Sequence, residues 1–210
     1  MPLPMEDKRM SKLIVISHPD ILPQEPVLLT ATLEAGVDYL HLRKPCAKAE
    51  DIAHLLQEIP RKYHTKIVLH DAHCLAPDYG VGGIHLNGRN AQLLQGWQGR
   101  VSRSCHTLAE IEIYKKQYDY LLLSPIYNSI SKPGYDTPFS TQQLTEAHNS
   151  RIIDSRVVAM GGITPENISS TMRYGFGGVA ILGCLWNNLS IEHISDTIYN
   201  IKEQLSCYNS

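Results

Sequence analysis

The sequence predicts an α/β chain folded as a single compact (β/α)8 TIM barrel, and three observations lead there. Eight short apolar runs alternate with longer helical patterns, which implies parallel strands joined by helices. The last two runs end in glycine, at Met160-Gly161-Gly162-Ile163-Thr164 and Ile181-Leu182-Gly183, and in barrels of this kind the loops after strands 7 and 8 are the usual phosphate site. The chain has 210 residues, long enough for one closed barrel and too short for a second core. We therefore expect one domain over residues 1–210.

The elements follow in order. Leu13-Ile14-Val15-Ile16 and Tyr39-Leu40-His41-Leu42 carry predicted strands 1 and 2, over residues 13–17 and 39–43, with a helix at 25–35 between them. A helix at 49–63 leads to strand 3 at 66–71, built on Ile67-Val68-Leu69. Strand 4 at 83–87 and strand 5 at 100–104 come next; the connectors after strands 3 and 4 are short and weakly patterned. A helix at 108–117 precedes the Leu121-Leu122-Leu123 run of strand 6, at 120–124, and a helix at 141–147 precedes strand 7, at 156–160. Helices at 165–173 and 191–205 flank strand 8, at 178–182.

Composition narrows the function classes. A formal net charge of −2 with an apolar fraction of 43% and no repeat gives no sign of a nucleic-acid partner. No apolar run approaches the roughly 20 residues that span a bilayer, and the first ten residues lack the apolar middle of a signal peptide. No membrane association and a cytoplasmic location are expected. The five cysteines (Cys46, Cys74, Cys105, Cys184, Cys207) have no CxxC spacing, so we read them as reduced packing residues.

Active sites of such barrels lie at the carboxyl ends of the strands, and the polar residues there are many. Strand 2 ends in His41-Leu42-Arg43-Lys44-Pro45, strand 3 in His70-Asp71, strand 4 in His85-Leu86-Asn87 and strand 5 in Ser102-Arg103-Ser104-Cys105-His106-Thr107. Strand 6 runs into Ser124-Pro125-Ile126-Tyr127-Asn128-Ser129-Ile130-Ser131-Lys132. Side chains alternate along a strand, so His41 and Arg43 share a face, as do Ser102, Ser104 and His106. His106 follows a serine-rich turn beside the expected anion site, where an imidazole can take and give a proton; alternatively, His106 or Thr107 starts the next helix. Arg43 needs an anion to justify its place, either a ligand or an ion pair with Asp71 or Glu34. His41 and His85 either bind substrate or bond neighbouring groups, and Lys132 is either functional or solvated.

Taken in order, Tyr39-Leu40-His41-Leu42-Arg43, Asp71, Gly83-Ile84-His85-Leu86, Ser104-Cys105-His106-Thr107, Pro125-Ile126-Tyr127, Gly161-Gly162-Ile163-Thr164 and Gly178-Val179-Ala180 resemble the thiamine phosphate synthase/TenI family over nearly the whole chain. The resemblance implies that Gly161, Gly162, Leu182 and Gly183 hold the phosphate of a thiazole phosphate. It implies that Arg43, Ser104 and Lys132, with Ser129, Ser131 and His41 nearby, address the substrates. In the synthase branch, Mg²⁺ helps a hydroxymethylpyrimidine pyrophosphate to lose its pyrophosphate, and Asp71 matches one of two metal-binding aspartates. In the TenI branch, a thiazole tautomerase moves a proton without a metal or other cofactor, and His106 matches its proton shuttle.

Three departures from the synthase pattern favour the tautomerase branch. Lys44-Pro45 follows Arg43 where the synthases have an acidic residue and then lysine; Asn87-Gly88-Arg89-Asn90 offers Asn90 in place of an acidic metal ligand; and Gly183 replaces a serine. Synthase activity with Mg²⁺ is the alternative, and a non-catalytic binder of thiazole or thiamine phosphates is an alternative of another class. A zinc hydrolase using His41, His70, Asp71, His73, His85 and His106 ranks lower, because no His-x-His opens strand 1. Homo-oligomerisation is left open.

Overall fold

The computed structural model describes residues 11–127 and 139–208. Eight strands form the barrel: β1 (Lys12–Ile16), β2 (Tyr39–Leu42), β3 (Ile67–Leu69), β4 (Gly83–Leu86), β5 (Arg100–Cys105), β6 (Tyr120–Leu123), β7 (Val157–Met160) and β8 (Gly178–Ile181). Consecutive strands pair in parallel, and β8 returns to β1 to close the sheet. The barrel expected from the alternation of short apolar runs is therefore the fold adopted.

Around it lie α1 (Glu25–Glu34), α2 (Ala49–Glu58), α3 (Ala76–Tyr79), α4 (Leu108–Tyr114), α5 (Thr141–Asn149), α6 (Ile168–Met172), α7 (Gly183–Trp186) and α8 (Ile191–Ser206). Local chemistry sets several boundaries. Thr107 caps α4 and Ser140 caps α5, each accepting from the backbone N–H three residues on, at 3.2 Å in both cases. The helix expected over 49–63 stops at Glu58. Ile59 precedes Pro60 and sits at φ −82°, ψ 131°, the extended region that a following proline imposes. Residues 61–66 continue as a 3₁₀ segment, and the helix expected over 165–173 likewise starts with a 3₁₀ turn at Pro165–Asn167. The short α3 and α7 carried too little periodic pattern to be read from the sequence.

Alternation along the strands sorts the side chains into two layers. Outward residues such as Leu13, Val15, Leu40, Leu42, Ile84 and Val179 pack under the helices. Inward residues on β1, β6, β7 and β8 make a second apolar cluster of Ile14, Ile16, Tyr120, Leu122, Val158 and Ala180. On β2, β4 and β5 the interior holds polar residues instead: His41, His85 and Ser102, joined by His70 just past β3, are all buried. The interior thus combines hydrocarbon with a hydrogen-bonded network. Of the cysteines, Cys105 is buried as expected of a packing residue, but Cys46, Cys74 and Cys207 are exposed. Burial pushes the Cys105 thiol up to about 12, which keeps it protonated and inert.

Candidate functional site at the barrel mouth

Two glycine turns stand side by side because β7 pairs with β8, with Met160 opposite Ala180. Gly161 and Gly162 adopt φ 94° and 65°, left-handed values that favour glycine. A Cβ at Gly161 would also lie 2.8 Å from the Pro125 Cα, so the close approach of the strand 6 loop demands glycine there. Asn167 fixes the turn: its Nδ2 donates to the Gly162 carbonyl at 2.8 Å, and its Oδ1 accepts from the Thr164 N–H at 3.0 Å. Sequence reading passed over Asn167, although a Thr-x-x-Asn spacing before a helix carries the signal. Across the pair, Leu182 is the residue preceding α7 and Gly183 begins it. A Cβ at Gly183 would meet no heavy atom within 4 Å, so open space lies against this turn.

After β2, β3 and β4, Arg43, Asp71 and Arg89 come together. The Arg89 Nη2 donates to Asp71 Oδ1 at 3.2 Å, and Asn90 Nδ2 donates to the same oxygen at 3.0 Å. Asp71 Oδ2 accepts from the Lys44 backbone N–H at 3.1 Å. Asn87 Oδ1 gathers the Arg89 and Asn90 N–H groups at 2.9 and 3.1 Å and so fixes the loop that carries both residues. Immediately after Asp71, Ala72 takes φ 51°, ψ 46°, a conformation costly for a residue with a Cβ and a sign that the turn is constrained. Arg43 is half-buried, and among the described residues no carboxylate lies within ion-pair distance of its guanidinium. Burial, and secondarily the Arg89 charge, hold Arg43 below the usual arginine range. Of the two partners the sequence offered for Arg43, Asp71 pairs with Arg89 instead, and Glu34 accepts from the Tyr63 hydroxyl at 3.3 Å.

The next residue, Lys44, is turned away from the mouth. Its side chain is fully buried, with Nζ donating to Glu25 Oε1 and to the His18 and Asp20 carbonyls at 2.7 and 2.8 Å. The second basic residue of this turn thus serves the fold, and Arg89 brings the second positive charge to the mouth.

His106 lies at the end of β5, exposed, with Nδ1 2.9 Å from the Ser124 carbonyl oxygen. A carbonyl can only accept, so Nδ1 carries the proton and the neutral ring keeps its lone pair on Nε2. The helix cap is Thr107, not His106; the His106 backbone N–H is taken by Glu110 Oε2 at 2.6 Å, leaving the imidazole out of the capping interactions. Ser104 is partly buried, its hydroxyl 2.8 Å from His85 Nε2. Ser129, Ser131 and Lys132 lie outside the described residues.

His41, expected among the substrate-binding residues, is placed below the mouth. It is fully buried, with Nδ1 2.8 Å from His70 Nε2 and Nε2 2.6 Å from the Tyr120 hydroxyl. His85 is equally buried between Ser102 and Ser104, both at 2.8 Å, and its ring stacks on His70 with centroids 4.0 Å apart. Nitrogens of His41, His70 and His85 lie within 4.8 Å of one another, close enough to suggest a metal site. Both nitrogens of His41 and of His85 are already hydrogen-bonded, however, and His106 is engaged separately at Ser124. These contacts make a packed network and not the open zinc centre weighed from the sequence.

The residues at Asp71 fit a bound Mg²⁺ poorly. Mg²⁺ favours carboxylate and phosphate oxygens in octahedral array. Among the described residues this corner offers one carboxylate, whose two oxygens already accept from a guanidinium, an amide and a backbone N–H. Asn90 turns its amide nitrogen, not its oxygen, to Asp71. A charged cleft also opens at the opposite end of the strands, between Lys12, Tyr39, Arg100 and Arg156, but chemistry in these barrels sits at the carboxyl ends.

Residues 13–185 match the TMP-TENI family, described as thiamine monophosphate synthase. The thiamine-phosphate synthase of Lysinibacillus sphaericus is 27% identical over 190 residues, 85% of this chain and 89% of the relative; that of Koribacter versatilis is 28% identical over 191 residues, 84% and 90% of the two chains. The crystal structure of a thiamine phosphate pyrophosphorylase from Bacteroides thetaiotaomicron superposes with a TM-score of 0.85 at 37% identity, covering 93% of this chain and 98% of that one.

Proposed function

Because the chain belongs to the thiamine monophosphate synthase (TMP-TENI) family, we propose that it is a thiamine-phosphate synthase, a transferase that joins hydroxymethylpyrimidine pyrophosphate to a thiazole phosphate. This reverses the preference for tautomerisation drawn from the loops, since the similar proteins above carry the synthase or pyrophosphorylase name. The observation that carries the reading is the presence of two separate anion-receiving corners around one mouth. The glycine turns follow β7 and β8, while Arg43 and Arg89 follow β2 and β4, two to four strands away around the closed sheet. A reaction between a monophosphate and a diphosphate needs two such corners facing a shared centre, so that the reacting atoms meet while the charged ends stay apart.

Each residue then has a task. The Gly161-Gly162 and Gly183 turns receive the thiazole phosphate on backbone N–H groups. Arg43 faces the diphosphate, and Ser104, its hydroxyl held by His85, orients the pyrimidine end. Departure of the diphosphate leaves a pyrimidine-stabilised cation, which the thiazole nitrogen attacks.

Incubation of the purified protein with both substrates, scoring thiamine phosphate, tests the proposal; no product from a folded protein that binds thiazole phosphate would reject it. Gly183→Asp places a carboxylate in the open space of the glycine turn. Thiazole phosphate affinity should fall by about 10²-fold or more, since like-charge contact costs several kcal/mol. Unchanged affinity by calorimetry would mean that the phosphate sits elsewhere.

One observation favours a second reading, thiazole tautomerase. The tautomer fixed on His106 by Ser124 leaves Nε2 able to take a proton. In that case His106→Ala should lower tautomerisation by about 10²-fold, within the usual range for general acid–base help, with binding unchanged. Binding without either reaction would identify the regulator considered from the sequence.

A further inference from the structure

We infer that this chain neutralises its diphosphate with a pair of guanidinium groups, Arg43 and Arg89, braced by Asp71, and does so without a divalent cation. The inference rests on the proposed diphosphate substrate and deepens it. Four features converge. Asp71, the carboxylate that matches a metal ligand of the synthases, is engaged by the Arg89 guanidinium at 3.2 Å and the Asn90 amide at 3.0 Å on one oxygen. Its other oxygen holds the Lys44 N–H at 3.1 Å. Arg43 lies near enough to Arg89 to feel its charge, and among the described residues it has no carboxylate within ion-pair distance. Lys44, which could have shared the anion, is committed to Glu25 in the interior.

The charges decide the chemistry. Two guanidinium groups and one carboxylate leave a net positive charge at the mouth, and like charges held together are relieved when a polyanion arrives. A divalent cation would raise the total to four positive charges around one carboxylate and would have to displace Arg89 and Asn90. A guanidinium instead offers paired N–H donors matched to phosphate oxygens, and its charge does not depend on pH in the working range. In the reaction, the pyrimidine methylene C–O bond breaks heterolytically and its electron pair leaves on the diphosphate oxygen. Arg43 and Arg89 stabilise that oxygen charge, while the thiazole nitrogen supplies the pair for the new C–N bond.

The test measures inorganic pyrophosphate binding by calorimetry, in EDTA and in excess Mg²⁺, beside thiamine phosphate formation under both conditions. The expected result is equal affinity in the two media and product in EDTA. Arg89→Ala should weaken pyrophosphate binding by about tenfold or more, corresponding to loss of a charged hydrogen-bonded contact, while its circular dichroism stays that of the parent. Arg89→Lys keeps the charge without the fork and should fall between. Arg89→Glu introduces a second carboxylate beside Asp71 and should make pyrophosphate binding depend on Mg²⁺. Binding and product that both require Mg²⁺ in the parent protein would overturn the inference and leave the synthase reading standing. Metal-independent pyrophosphate binding lost in Arg89→Ala, without product, would support the guanidinium site and reject the synthase reading.

Discussion

Between pH 7.5 and 5 the protein should lose stability steeply, by about 2 kcal/mol through His41 alone, because an imidazole of ordinary pKa near 6.5 takes up a proton at pH 5 only in the unfolded chain. Burial, and secondarily the Arg100 charge, lower the His41 pKa to about 3. His70 and His85 are also held well below the ordinary value, first by burial and then by their histidine neighbours. The sign is the same for all three. Each is neutral in the folded state, so the unfolded state binds more protons below about pH 6.5 and is stabilised relative to the folded state as the pH falls. For His41 the loss continues until the pH nears about 3. Most carboxylates change little above pH 5, which leaves this window to the histidine network. Urea unfolding followed by circular dichroism at a series of pH values measures it. A midpoint that stays level from pH 7.5 to 5 would show that the imidazoles find stabilising partners when protonated, contrary to the contacts with Tyr120, Ser102 and Ser104.

Glu25→Gln should destabilise the protein by about 3–5 kcal/mol, the usual cost of leaving a buried charge without its partner. At this chain length that corresponds to a fall in Tm of about 6–20 °C. Lys44 and Glu25 are both fully buried and paired. Glu25 Oε2 also accepts from the Leu22 N–H at 3.1 Å; a glutamine has a single acceptor oxygen and can keep that bond only by turning its amide nitrogen toward Lys44, so the substitution removes both the charge and the acceptor that Lys44 uses. Burial pulls the Lys44 pKa down, and the hydrogen bond and charge of Glu25 oppose that pull. Replacing both residues, Glu25→Gln with Lys44→Met, removes the orphaned ammonium and should recover most of the loss. A urea midpoint unchanged in Glu25→Gln alone would mean that Lys44 adapts by losing its proton or reaching water. The same pair matters for function: by drawing Lys44 inward, it leaves Arg43 as the basic residue of the strand 2 turn at the mouth.

Much of this was legible in advance for physical reasons that can be named. Strand runs such as Leu121-Leu122-Leu123 and Val157-Val158-Ala159 are buried on both faces, so they read as continuous apolar stretches and their order determines a barrel. Gly161 was marked by its position at the end of such a run, and its left-handed backbone and contact with Pro125 explain the choice of residue. The sharing of a face by His41 and Arg43 follows from strand alternation, but the depth of each does not. Two residues along the strand separate a histidine bonded inside the barrel from an arginine at its mouth.

The order of hydrophobic runs, the turn chemistry and the capping residues are local properties, and the sequence by itself determined from them the eight-stranded architecture, the end of the barrel that carries the polar residues and the family. Partner choice among charged and hydrogen-bonding groups is not local. Asp71 could pair with Arg43 or Arg89, Lys44 could face the mouth or the core, and three histidines on neighbouring strands could hold a metal or one another. Only the closed sheet decided these, because its register brings residues 18 to 79 positions apart within hydrogen-bonding distance. Burial there makes an unpaired charge or donor too costly to leave.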